Sequence, residues 1–258
     1  MGITAEERAL ARASIYRLLG IAFSYPAAET VSELHHAGEV AVVGADLISE
    51  PVAEAVAGVL QVVRDLSQPE LEASYQRTFT LSYSEDCPLH ETAFSARHIF
   101  QQTQQQADIA GFYRAFGVDS QAERSDHLAL ELEFLYLLAL KEATARERRE
   151  RGNTTVCRSA QRSFMKDHVA RWVPLIGKRI AVVGSGGFYS SAARLLVAFI
   201  SWEERFLRLG RVELFRDEPV LIADEPGDMS CPMLGEGAVR ITASEDEKDI
   251  HLALPRIS

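Results

Sequence analysis

The chain has 258 residues, 47% hydrophobic and 25% charged, with a formal net charge of −10. That length suits one large domain or two small ones around a sizeable core, and the acidic balance argues against nucleic acid as a partner and for a basic one such as a cationic peptide. Cys87, Cys157 and Cys231 lie far apart with no CxxC pair, which points to a reducing compartment and to neither a disulfide framework nor a cysteine zinc site.

The N-terminal MGITAEERALARAS has no apolar core of the kind a secretory signal needs, and no apolar stretch is long enough to span a membrane. Helical periodicity then runs through the first 210 residues. Thr4-Ala5-Glu6-Glu7 fits a capping box. Ala9, Leu10, Ala13, Tyr16, Leu19 and Phe23 follow at helical spacing, ended by Pro26. Weaker helical patterns cover about 29–43 and 52–66. Over 70–82, Leu71, Tyr75 and Phe79 share one face. Ser84-Glu85-Asp86-Cys87-Pro88 breaks the pattern, and one long helix is predicted over about 91–116, up to Gly117. A polar linker, Asp119 to Ser125, precedes the strongest helix, about 126–150, whose basic end suits a helix C-terminus. Two more helices fit 158–176 and 188–209. Residues 211–258 hold 11 Asp/Glu against 5 Lys/Arg and lose helical periodicity. The reading is all-α: a single helical-bundle domain of about eight helices over 1–210, with an acidic, extended or partly disordered tail over 211–258.

Residues 179–187, RIAVVGSGG, imitate the start of a dinucleotide-binding unit. The third glycine position of GxGxxG falls on Tyr189, no GK[ST] follows, and a lone strand among helices cannot build a parallel sheet. Residues 184–187 are therefore expected to join two helices as a mobile joint, with Ser190 or Ser191 near the start of the second.

Three stretches carry candidate chemistry. In Glu123 to Leu135, Asp126 suits a helix start, His127 and Glu131 share a face with Phe134 and Leu138, and Glu131 and Glu133 interrupt a leucine-rich run. A buried carboxylate there needs a groove or a basic partner. Around Tyr75, Phe79 and Cys87-Pro88-Leu89-His90-Glu91-Thr92, the aromatic residues read as core, Pro88 to His90 as a turn, and Cys87 as a nucleophile only if a helix N-terminus lowers its pKa. In Asp167 to Pro174, Trp172 reads as core. A competing reading is a helical metal-dependent enzyme using His90, His127, Glu131 and His168, although the paired Glu-x-x-His motifs of a di-iron bundle are missing.

Taken in order, Ala13 to Leu19 with Phe23 and Tyr25-Pro26, Tyr75 and Phe79 ahead of Pro88, Glu123 with Asp126-His127 and Glu131 to Phe134, Asp167-His168 with Trp172, and Phe188-Tyr189 leading to Phe199 resemble the TorD/DmsD/NarJ family of cytoplasmic molybdoenzyme maturation chaperones. The likeness covers roughly residues 8–209. It implies an all-helical, non-enzymatic protein with no cofactor of its own. Its partners would be an apo catalytic subunit and that subunit's twin-arginine signal peptide, held until bis-molybdopterin guanine dinucleotide is inserted. The pattern looks closest to the branch serving periplasmic nitrate-, selenate-, chlorate- and ethylbenzene-type enzymes. No nucleic acid or membrane span is implied, and the protein would be a monomer or a domain-swapped dimer. Carried onto this sequence, Glu123 and Asp126 pair with guanidinium groups, and Tyr75, Phe79, Pro88 and Leu89 wall an apolar groove. His90, His127 and Glu131 complete the site, with His127 orienting Asp126 or sensing protonation.

Overall fold

The computed structural model describes residues 2–79, 86–118, 124–184 and 186–220. Its elements are α1 (Ala5–Phe23), α2 (Thr30–Ala45), α3 (Glu50–Val63), α4 (Gln68–Phe79), α5 (Glu91–Ser95), α6 (Ile99–Ala115), α7 (Leu128–Glu147), α8 (Arg151–Phe164), α9 (Ala170–Val183) and α10 (Phe188–Phe206). A π-helical turn, Met165–Val169, joins α8 to α9 without a break. Counting that run once leaves nine helices among the described residues, against about eight expected, and no strand. The all-α reading holds.

Helix α1 begins with the capping box expected of Thr4 and Glu7: the Glu7 amide donates to Thr4 Oγ1 (3.0 Å) and the Thr4 amide to Glu7 Oε2 (2.7 Å). Ala9, Ala13, Tyr16, Leu19 and Phe23 are buried, but so are Ala11, Arg12, Ile15 and Leu18, whereas Leu10 is exposed. A helix apolar on nearly all sides belongs at the centre, and α1 packs along α7, α2 and α10. Its crossing with α2 is tight, since a Cβ on Gly44 would lie 2.9 Å from the Ala11 Cα.

Arg12 is fully buried on this central helix. Its guanidinium donates to Glu203 (2.5 and 2.8 Å), Gln161 (2.5 Å) and Glu142 (3.1 Å). One side chain thereby ties α1 to α10, α8 and α7. Burial alone would lower its pKa, but the Glu203 carboxylate outweighs that and leaves it above the ordinary arginine value.

Three boundaries differ from the sequence reading. The helix expected over 91–116 is two: the Ala96 amide closes α5 on the Thr92 carbonyl, and Gln101 Oε1 accepts from the Arg97 amide to start α6. The helix expected over 126–150 begins at Leu128, because His127 is its cap. The helix expected over 158–176 starts at Arg151 and runs on through the π turn to Val183, so Arg179 to Val183 of RIAVVGSGG are helical.

Residues 184–187 do connect α9 to α10. The Gly186 amide donates to Ser190 Oγ, and a Cβ at Gly184 would come within 2.8 Å of both that oxygen and the Ile180 carbonyl. Gly186 has φ +81°, which suits glycine. Ser185 lies outside the described residues, as do 80–85, 119–123 and 221–258.

The first ten residues of the expected tail, 211–220, run extended over the bundle. The Phe215 amide donates to the Arg171 carbonyl (2.9 Å), and the Arg171 guanidinium sits 4.0 Å from the Phe215 ring centroid. The Val220 amide donates to the Ala93 carbonyl (2.7 Å), satisfying an acceptor at the C-terminal end of α5.

Candidate functional site

The site residues come together where two short segments meet, one before α5 and one before α7. His90 and His127 form an isolated antiparallel bridge. The Leu128 amide donates to the Leu89 carbonyl (2.9 Å) and the Glu91 amide to the Asp126 carbonyl (3.0 Å). Pro88 and Leu89 are buried beneath this pairing, as core rather than open groove wall. Cys87 is also fully buried, and burial pushes its thiol pKa up to about 11. The nucleophile reading required a shift in the other direction.

Asp126 does not cap its own helix. His127 does, its Nδ1 accepting from the Ala129 amide (3.2 Å). Asp126 instead turns toward α5, where Oδ2 accepts from the Thr92 amide (3.1 Å) and the Thr92 hydroxyl (2.5 Å). It thus supplies to α5 the N-terminal acceptor that α5 lacks locally. Gln106 Nε2 donates to Oδ1 (3.2 Å), and Arg124 grips both oxygens, Nε to Oδ1 (3.2 Å) and Nη2 to Oδ2 (3.0 Å). His90 Nδ1 stands 3.5 Å from Oδ1, too long for a hydrogen bond but within ion-pair range. Burial would raise the Asp126 pKa, but His90 and Arg124 together hold it well below the usual carboxylate range.

His127 does not orient Asp126, and it is poorly placed to sense protonation. Burial and the neighbouring His90 pull its pKa down to about 3, and its capping role needs a bare Nδ1. The His90 and His127 rings meet edge to face with centroids 5.0 Å apart.

Below this bridge lies a second, buried polar cluster. Glu131, fully buried, faces neither a groove nor a cation: Oε2 accepts from Trp172 Nε1 (3.0 Å). Burial, then the adjacent Glu91 carboxyl, raises its pKa well above the usual range. Glu91, also fully buried, lies 3.1 Å from His168 Nδ1, and His168 Nε2 is 3.4 Å from exposed Asp108. The π turn carries His168 inward. Trp172 is core, as expected.

Tyr75 and Phe79 belong to a third group, built from different elements. Their rings are 4.9 Å apart, and Tyr189 packs on both, at 5.9 Å from Tyr75 and 4.8 Å from Phe79. Tyr25 contacts Tyr75 at 5.3 Å and is 48% exposed. Phe79 is buried and Tyr75 half-buried, so the cluster runs from core to surface. Glu123 lies outside the described residues.

The residues of the metal reading fall in two places, His90 with His127 and Glu131 with His168, and His127 spends its Nδ1 on a backbone amide. Among the described residues no group of three or more His, Cys, Asp or Glu is placed to hold a metal ion. Sequence reasoning assigned no role to Thr92, Gln106, Arg124 or Glu91. Only Arg124, two residues before Asp126, carried a local signal.

Fold and site together define a helical bundle protein in which the polar side chains of the candidate site are engaged with one another. The chain belongs to the nitrate reductase delta subunit family, whose model matches residues 45–176, about half of the chain. It is 27% identical over 216 residues to the perchlorate reductase assembly chaperone protein of Dechloromonas aromatica, a match covering 78% of this chain and 88% of the relative. It is also 27% identical over 156 residues to the chaperone protein TorD of Vibrio cholerae (60% and 68% covered), and 22% over 205 residues to that of Vibrio parahaemolyticus (76% and 94%). These relatives are chaperones by name rather than catalysts, and the chain is not an enzyme. No helix among the described residues is long and apolar enough to cross a membrane.

Proposed function

We propose that the chain is a cytoplasmic maturation chaperone. It holds the apo catalytic subunit of a molybdenum enzyme, binds that subunit's twin-arginine signal peptide, and releases the client once bis-molybdopterin guanine dinucleotide is in place. The cofactor belongs to the client, and the chaperone carries none. Family membership and the chaperones among its relatives support the class.

The observation that carries the peptide-binding part is the graded aromatic cluster. Tyr75 on α4 and Tyr25 in the turn after α1 reach solvent, while Phe79 and Tyr189 seat Tyr75 against the core. The buried Tyr189 hydroxyl has no hydrogen-bond partner among the described residues. Tyrosines of this kind, apolar in body and polar at the tip, anchor peptides at little cost in entropy. The apolar stretch of a twin-arginine signal matches the rings, and the acidic net charge suits its arginines.

Calorimetric titration tests this with a synthetic peptide carrying paired arginines ahead of an apolar stretch. Tyr75→Ala should weaken binding at least about ten-fold, the loss expected of a half-buried aromatic anchor. Unchanged affinity removes the cluster from the site, and no binding to the wild-type chain removes the signal-peptide reading.

A further inference from the structure

Asp126 is a fully buried carboxylate at the bridge between the pre-α5 and pre-α7 segments, and its partners divide into two kinds. The Thr92 amide and hydroxyl hold it from inside the fold, and the half-buried Gln106 side-chain amide donates to it from α6. They fix its position without neutralising its charge. Arg124 meets the charge directly, from the solvent side with 27% of its side chain exposed, and His90 Nδ1 stands beside it 3.5 Å from Oδ1. Arg124 uses a two-pronged grip, Nε on one oxygen and Nη2 on the other, and Nη2 also donates to the Thr92 hydroxyl oxygen (2.8 Å). The seat is therefore shaped for a planar guanidinium, already occupied, and open to solvent on the occupant's side.

We propose that Arg124 is an internal stand-in for a client arginine: one guanidinium of the signal peptide binds by displacing Arg124 from Asp126. The inference rests on the signal-peptide reading above. A buried carboxylate stripped of its cation is strongly disfavoured, so the seat does not open empty. A second guanidinium can replace the first in an exchange that keeps Asp126 paired throughout. Lysine, a point charge without the fork, reproduces only part of that grip, so the exchange selects arginine. Because the tethered Arg124 competes at every moment, the client is held loosely enough to be let go, which suits a protein that must release its cargo.

The test is calorimetric titration of the full chain and its Arg124→Gln variant. The ligands are the paired-arginine peptide and its paired-lysine counterpart, and thermal unfolding monitors the fold. Removing the competitor should tighten arginine-peptide binding by about ten-fold, the gain expected when an occupied site is freed, with a smaller gain for the lysine peptide. Equal or weaker binding by a folded variant overturns the proposal and assigns Arg124 a purely structural role. An equal gain for both peptides overturns it too. Should Arg124→Gln fail to fold, Arg124→Lys carries the test, since a weaker internal competitor must also tighten arginine-peptide binding. Failure of the wild-type chain to bind either peptide is a distinct result that overturns the signal-peptide reading itself.

Discussion

At the start of α7 a histidine does the work expected of an aspartate, and the aspartate serves a different helix. Both residue types suit a helix start, so the choice between them was not legible from local sequence. It depends on α5, whose first turn lies 34 positions away at Thr92 and has no capping side chain of its own. The Tyr75 and Phe79 pairing, by contrast, follows from four-residue spacing alone. Glu131 carries the clearest pH consequence. Its pKa is raised in the folded chain by burial and by Glu91. The stability linked to its proton is thus complete below the unfolded value of about 4.5 and declines as pH rises above it. Glu131→Gln keeps an acceptor for Trp172 and cannot ionise. Its melting temperature should gain steadily on that of the wild type as pH rises from 5 to 8. A constant difference across that range would contradict a protonated Glu131.

Among elements, long periodic helices were legible and their interruptions were not. The split between α5 and α6 depends on Gln101 reaching back to the Arg97 amide. The π turn before α9 leaves no mark in the periodicity. The β-branched run Ile180 to Val183 favours strand by propensity, but it continues α9, whose buried face includes Trp172, Val173, Ile176 and Ile180. Arg12 did leave a signal, a lone cation on the apolar face of α1, which the stripe through Ala9, Ala13 and Tyr16 obscured. Truncation to Arg12→Ala would leave Glu203 buried without the cation that faces it and would disconnect four helices. It should destabilise the chain by about 3–5 kcal/mol in chemical denaturation, the range for breaking a buried ion pair from one side. A loss below 1 kcal/mol would mean that the network is not needed to hold the bundle together.

At the scale of the whole molecule, the order of weak motifs along the chain pointed to the family more reliably than any one of them. The same order left the site incomplete, because the groups that fix Asp126 come from α5, α6 and the segment before α7 and meet only in the fold. The segment 211–220 was set apart as tail by its composition, yet it crosses α9 and ends on α5, beside the bridge. Its anchors, a cation over a ring and backbone hydrogen bonds, depend on residues too distant for a composition shift to reveal. The most direct test of the chaperone account is affinity capture with the tagged full-length chain. It would compare cells that make the molybdopterin cofactor with cells blocked in its synthesis, identifying the partner by mass spectrometry. The account predicts a molybdoenzyme catalytic subunit, with its twin-arginine leader intact, enriched when cofactor is lacking and depleted when the enzyme is loaded. Equal capture of the loaded and unloaded subunit would contradict it.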